Sequence, residues 1–469
     1  MRARVQMLLA AAVLAGCGDT LVDHDGGSFV ATCDQSGQHS CDKGAGAVCE
    51  PVSATSCGDG LACTDCTAGF SVANAVPLCQ AGGTCGYQCD PGWLRCDAGC
   101  CRAIAVAAGA AHTCAIVAQL PATSGQLKCW GANDRGQLGT GDTADRLVPA
   151  SVANMNSGVM LVAAGAKHTC AVKSGALYCW GANGEGTTVD GRLGVTTSLI
   201  EYDYPQTVNL AGITALAPGE RHTCAFASGS VFCWGANDRG QLGFATVPSG
   251  SSVLRPPSTP TLTGASVLVS GRAHACALTP GGVACWGAND WGQLGNGATP
   301  LPAADQPSPV AAVNLPAVTT LAAGAHHACA IDSTTNQYLW CWGENTDGQL
   351  GRGTVGGAFS TPDVAADIQS LKPIAAAGGR AHTCGNKGDV NGIKCVGSNA
   401  SGQLGAPGPT ITKSDVQIGQ AASAIAAGDD HACAVAADGS LFCWGANARG
   451  QVGDGSTANL FSPTLVSGR

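Results

Sequence analysis

A histidine, a cysteine two residues on, and a second cysteine followed in most copies by tryptophan recur seven times along the chain. The histidines are His112, His168, His222, His274, His327, His382 and His431. The cysteine pairs are Cys114 and Cys129, Cys170 and Cys179, Cys224 and Cys233, Cys276 and Cys285, Cys329 and Cys341, Cys384 and Cys395, and Cys433 and Cys443. Imidazole and thiolate are zinc ligands, and paired thiols are redox couples. Either chemistry needs one centre, whereas this set is repeated in every unit. The expectation is therefore structural, with no metal and no cofactor. Each imidazole is expected to bond backbone in a turn. Within a unit the histidine and first cysteine fall on one face of one strand, and the second cysteine on the neighbouring strand. Directly opposed positions of an antiparallel pair lie within disulfide reach, so seven bridges inside the repeats are expected.

The spacing says what must position these residues. From one second cysteine to the next the chain advances 48 to 56 residues, a period that indicates a solenoid or a propeller. Each unit carries four short apolar runs, at 159–164, 168–172, 177–180 and 205–210 in the second, separated by Gly, Asn and Pro. Four strands in each of seven units predict an all-β, seven-bladed propeller over residues 102–469. Trp130, Trp180, Trp234, Trp286, Trp342 and Trp444 are expected between sheets. Val396 stands in that slot in the sixth unit and Gly385 follows Cys384, so that blade is expected to pack less well. The first unit has no Pro-led strand before 103–108, and the last ends in one at 462–466. The carboxyl terminus is therefore expected to complete the first sheet and bury both edges.

Gly-x-x-His-(Thr/Ala)-Cys, Cys-Trp-Gly-x-Asn and Gly-Gln-Leu-Gly together resemble the regulator of chromosome condensation (RCC1) repeat, in seven copies over about 102–469. The resemblance implies a seven-bladed propeller. It implies less about function, because that family spans nucleotide-exchange factors, chromatin binders and secreted bacterial proteins; the secreted, lipoprotein type is expected here.

The rest of the chain bears on location. Residues 1–16 combine Arg2 and Arg4 with a short apolar run and read as a signal peptide. Leu14-Ala15-Gly16-Cys17 resembles a bacterial lipobox, which implies lipidation of Cys17, with 17–32 as a flexible tether. Residues 33–101 hold twelve cysteines, at Cys33, Cys41, Cys49, Cys57, Cys63, Cys66, Cys79, Cys85, Cys89, Cys96, Cys100 and Cys101. So short and polar a stretch needs disulfides in place of a core. Cys63 and Cys66 have zinc-ligand spacing but no matching second pair. Twenty-seven cysteines in all point to an oxidising compartment, and a formal charge of -9 excludes a general attraction for nucleic acid. An exported monomer on the bacterial outer membrane or cell surface is expected.

Function belongs to what does not repeat. Trp291 is the one aromatic residue at a blade tip, and Arg135, Arg239 and Arg449 occupy corresponding tips, so these four form the first candidate binding set. Tyr202, Tyr204 and Phe244 in longer connections form a second. There is no Gly-x-Ser-x-Gly, His-Glu-x-x-His or phosphate loop, and no catalytic residue is assigned. The leading expectation is a non-catalytic scaffold for a protein or glycan, anchored to the membrane by its lipid. A glycan hydrolase or lyase using acids such as Asp190, Asp203 and Glu220 is the alternative. Guanine-nucleotide exchange is implied by the resemblance alone.

Overall fold

The structure, a computed structural model, describes residues 72–80, 84–97, 99–390, 392–408 and 412–468, with the strands Thr20–Val22 and Ser28–Val30. Cys17 and the cysteines from Cys33 to Cys66 lie outside the described residues. The chain divides into two compact units, 1–90 and 91–469. In the first, Thr20–Val22 pairs antiparallel with Ser28–Val30, and Ala75–Gln80 with Thr84–Cys89. Cys96, Cys100 and Cys101, grouped by the sequence with the cysteine-rich module, lie on strands of the second unit.

The second unit is a seven-bladed propeller. Each blade is an antiparallel sheet whose strands follow chain order from the axis outward, as in Val159–Ala164, His168–Lys173, Ala176–Ala182 and Glu201–Val208 of the second. In the third blade the outermost strand is broken into Ser252–Val253 and Leu262–Thr263. The expected exchange of the last strand is not made. Leu460–Leu465 pairs with Leu441–Gly445 of its own blade, and the first blade completes itself with Gly99–Ala108, His112–Ala118, Gln126–Gly131 and Arg146–Ser151. Pairing within a unit closes a loop of tens of residues rather than hundreds, which costs less chain entropy.

The cysteine register is the expected one. Each first cysteine lies directly opposite its second, and all seven pairs are bridged with Cα atoms 4.0–4.1 Å apart. The six tryptophans are fully buried, each against the preceding blade: Trp180 sits with Cys114, Ile116, Leu127 and Leu138. The indole Nε1 donates across the seam, from Trp180 to the Gln137 carbonyl at 3.0 Å and from Trp444 to that of Gln403 at 3.0 Å.

The histidines do something the sequence reading did not foresee. All seven are buried, and four of them reach a threonine hydroxyl of the next blade rather than backbone. His112 Nε2 lies 2.9 Å from Thr169 Oγ1, His168 Nε2 2.9 Å from Thr223 Oγ1, and His327 Nε2 2.8 Å from Thr383 Oγ1. The Thr169 hydroxyl spends its one proton on the Gln137 carbonyl, at 2.8 Å, so it accepts from the imidazole. These histidines are thereby fixed as neutral Nε2–H tautomers. Where the next blade has alanine instead, at Ala275, Ala328 and Ala432, the Nε2 of His222, His274 and His382 is buried without a partner.

Closer to the axis the blades are tied by backbone. The N–H groups of Ala110, Ala166, Glu220, Arg272, Ala325, Arg380 and Asp429 each donate to a carbonyl of the following blade, and Asp429 returns to Ala110 at 3.3 Å. This belt requires glycine just before each donor. A Cβ on Gly109 would stand 2.2 Å from His112 Cε1 and 2.5 Å from the Gly165 carbonyl oxygen; on Gly428 it would meet His431 and the Gly109 carbonyl in the same way.

Two local devices complete the ring. The hairpin of Leu94–Cys96 and the start of Gly99–Ala108, bridged by Cys96 and Cys101, buries Leu94 where the seventh and first blades meet, among Val117, Trp130, Val435 and Leu441. Arg102 adds an ion pair to Asp438 at 3.5 Å, a bond to the Gly92 carbonyl at 2.8 Å, and Trp93 stacked on its guanidinium at 4.1 Å. In the sixth blade the space a tryptophan would fill beside Val396 is taken by Ile368 and Leu371 from the connection before it. Gly385 makes the room, since a Cβ there would touch both side chains at 3.1 Å. The expected packing defect is thus repaired.

Candidate functional site

Strand alternation brings two sets of loops to one face: the turns between first and second strands, which rim the axis, and the tips between third and fourth strands. Ion pairs between the sets, such as Lys167 to Asp134 at 3.5 Å and Arg221 to Asp238 at 2.9 Å, show the shared face directly. Each tip is built on its buried asparagine. Asn133 Oδ1 accepts from Leu138 N at 2.9 Å, and its Nδ2 donates to the Asp142 carbonyl at 2.8 Å. Gln137 closes the turn by accepting from Arg135 N at 2.8 Å and donating to Asp134 Oδ1 at 3.1 Å. The second blade has Arg192 in the glutamine slot. It is buried and paired with buried Asp190, Nε to Oδ1 at 2.9 Å.

Arg135, Arg239 and Arg449 occupy equivalent tips and bind equivalent partners. Each reaches a carboxylate beside the outermost strand of the next blade: Glu201 at 3.2 Å, Asp305 at 2.8 Å and Asp145 at 2.7 Å. The Arg449 hydrogen bond, outweighing burial, holds the Asp145 carboxyl below its usual range. Hydrogen bonding to Asp305 raises the Arg239 guanidinium further above its already high value. These arginines are blade-to-blade latches, and only Arg239 reaches the neighbourhood of Trp291, through Asp290 at 3.3 Å.

Trp291 stands where the latch would be between the fourth and fifth blades. It is half-buried and stacked on His326 of the fifth blade, with ring centroids 6.2 Å apart and planes within 12°. His326 Nδ1 bonds Glu344 Oε2 at 3.1 Å. Against the upward push of burial, that bond and one from Thr346 keep the Glu344 carboxyl low. Beside Trp291 opens a hollow of about 470 Å³ lined by Asp290, Leu301, Pro302, Gly357 and Ala358.

The other candidates fall elsewhere. Tyr202 and Tyr204 meet edge to face at 6.3 Å on the second blade's outermost strand; Tyr202 Oη donates to Thr197 at 2.7 Å, and Tyr204 is exposed. Phe244 packs with Leu262 against the Trp286 cluster. Asp190 and Glu220 are each tied to arginine, Glu220 to Arg272 at 3.0 Å. Among the described residues no group of three His, Cys, Asp or Glu side chains could hold a metal ion, and no helix is long and apolar enough to cross a membrane. His326, Arg272 and Asp429 were missed from the sequence. Their signal was the two residues between the repeated glycine and histidine, which vary while their neighbours do not.

Comparison with known proteins agrees with the ring. A family model described as the RCC1-like domain matches residues 174–469, and one for the regulator of chromosome condensation repeat matches 124–172. The chain belongs to the RCC1-like domain family. This RCC1-like chain is 34% identical over 262 residues to the ultraviolet-B receptor UVR8 of Arabidopsis thaliana, covering 53% of the chain and 54% of the receptor. It is 29% identical over 364 residues to the human E3 ubiquitin-protein ligase HERC2, covering 73% of the chain and 7% of the ligase. The chain thus spans about half the length of the first relative and a small part of the second. Among solved structures, Prp20p of Saccharomyces cerevisiae superposes with a TM-score of 0.62 at 23% identity, over 74% of this chain and 87% of that one. Human WBSCR16 does so at 0.59 and 22%, over 72% and 92%. At these identities the two structures speak to fold.

Proposed function

We propose that the protein is an exported scaffold, lipid-anchored at Cys17, whose RCC1-like propeller binds a protein partner without chemistry through the face that carries the blade tips. One observation carries the choice of face. At a position where other tips latch to the next blade through arginine, Trp291 presents a half-buried aromatic ring at the rim of an apolar hollow beside Pro302. A rigid aromatic at the edge of a preformed hollow, ringed by paired charges, matches the anatomy of an interface hot spot. Prp20p, which shares the fold, is described by its binding to Gsp1p and histones, so the fold can carry protein partners. Of the acids weighed for glycan hydrolysis, Asp190 and Glu220 are held in ion pairs with arginine, and Asp203 lies apart on an outermost strand.

Proximity labelling on intact cells, followed by affinity measurement with the purified partner, tests the reading. Trp291→Ala should weaken binding by about thirtyfold, on the order of 2 kcal/mol, with the melting temperature nearly unchanged. An unchanged affinity removes Trp291, and capture of glycan alone replaces the partner class. Palmitate labelling lost in Cys17→Ala supports the anchor; labelling that persists removes it.

A further inference from the structure

The seven innermost strands enclose an axial channel of about 320 Å³. Its wall is mostly alanine and glycine, with Val162, Leu216, Pro218, Leu268, Val269 and Leu321 as the larger apolar members. The mouth on the tip face is charged. Glu220 is paired with Arg272 at 3.0 Å, and Arg380 with Asp430 at 2.9 Å. One acid is left over. Asp429 lines the channel with its backbone held on both sides, its N–H on the Ala110 carbonyl and its carbonyl accepting from Arg380 N at 2.9 Å. Among the described residues nothing hydrogen-bonds its carboxylate. Burial pushes that carboxyl above its usual value; Arg272 and Arg380 pull it down, while Asp430 and Glu220 add to the rise.

A carboxylate without a donor, at the mouth of a narrow bore whose wall is shared between small apolar side chains and backbone polar groups, is the complement of a slender stem ending in a cation. We propose that the axial channel binds a primary alkylammonium group, with the ammonium on Asp429 and the methylenes along the alanine wall. Ammonium suits the place better than guanidinium because it is compact and presents its donors around one point. The group could belong to a free amine or to a lysine side chain of a partner. The proposal stands on the channel alone and is independent of Trp291.

Calorimetric titration of the folded, disulfide-intact protein at pH 7 tests it, using n-butylamine, n-hexylamine, 1-hexanol and Nα-acetyl-lysine methylamide as probes. Affinity should rise with each added methylene, by up to about fourfold, the value for a methylene moved wholly from water into apolar surroundings. Hexanol, lacking the charge, should bind at least tenfold more weakly than hexylamine. Asp429→Asn should lose at least tenfold for hexylamine, and Asp203→Asn, on an outermost strand, should lose nothing. Acetyl-lysine methylamide binding like butylamine assigns the site to a protein lysine; its exclusion while the free amines bind assigns it to a small amine. No dependence on chain length, or undiminished binding in Asp429→Asn, overturns the proposal. Should Asp429→Asn fail to fold, the chain-length series on the unaltered protein decides by itself.

Discussion

His431 of the seventh blade and Thr113 of the first, 318 residues apart in sequence, lie 2.9 Å apart, Nε2 to Oγ1. Thr113 hands its own proton to the Gln451 carbonyl at 2.8 Å, and Trp130 donates to the same carbonyl at 3.0 Å. The closing seam is therefore made by the same three groups as the seam between the first and second blades, where His112, Thr169 and Trp180 meet the Gln137 carbonyl.

Removing that hydroxyl should be felt. Thr113→Val leaves a buried imidazole N–H without an acceptor, at a cost of about 1–3 kcal/mol. In the opposite direction, Ala275→Thr offers an acceptor to His222 Nε2, which has none, and should gain about 1 kcal/mol. Denaturant midpoints of the two variants measured side by side check both signs; equal shifts for the pair would contradict the relay.

The glycine belt should tolerate no side chain. In Gly109→Ala the new methyl meets a carbonyl oxygen and a locked imidazole, neither of which can swing aside. A loss of more than about 3 kcal/mol is expected. Gly229→Ala, by contrast, meets open space and carries only the backbone penalty of its positive φ, so its smaller loss, on the order of 1 kcal/mol, separates backbone strain from steric clash.

Acid should weaken the ring before it protonates the bulk of the carboxylates. Burial lowers His112, His222 and His382 to about 4 and His274, His327 and His431 to about 3, with His168 also well below its ordinary 6.5. The unfolded chain binds these protons first, so the stability they contribute is fully present above pH 6.5 and is lost as pH falls toward about 3–4. Unfolding midpoints at pH 7.5, 6, 5 and 4, with disulfides intact, should fall monotonically. A flat profile between 6.5 and 4 would show that the imidazoles are not buried neutral.

The intrablade bridges should each be worth about 2.5–3 kcal/mol for loops of about ten residues, in the chain-entropy view. All fourteen cysteines are almost completely buried, so a thiol reductant should leave them oxidised in the native state and reduce them only when denaturant opens the fold. Mass spectrometry of unreduced peptides should return Cys224 with Cys233 and each other pair likewise. Free thiols at these positions would defeat the assignment.

Where the sequence was readable, one unit explained itself: the two-residue step from His222 to Cys224 set the strand face, and the hairpin back to Cys233 set the register. What lay between units was not readable, because it depends on the rotation from one blade to the next. That rotation puts His168 against Thr223, Arg449 against Asp145 and Trp291 against His326. The alternation of Thr and Ala after the histidine was visible, but nothing in one dimension said that the partner was the preceding blade's imidazole. The repair at Val396 was hidden for a similar reason, since Ile368 and Leu371 sit in a connection without repeat character.

Because the hydrogen-bonded hoop around the axis has no odd member, no blade is privileged as the first. A gene rotated by one unit would encode the same neighbours in a new order, and a fault at any one seam would be a fault in the whole hoop. Seven small sheets are in this sense joined into one closed body.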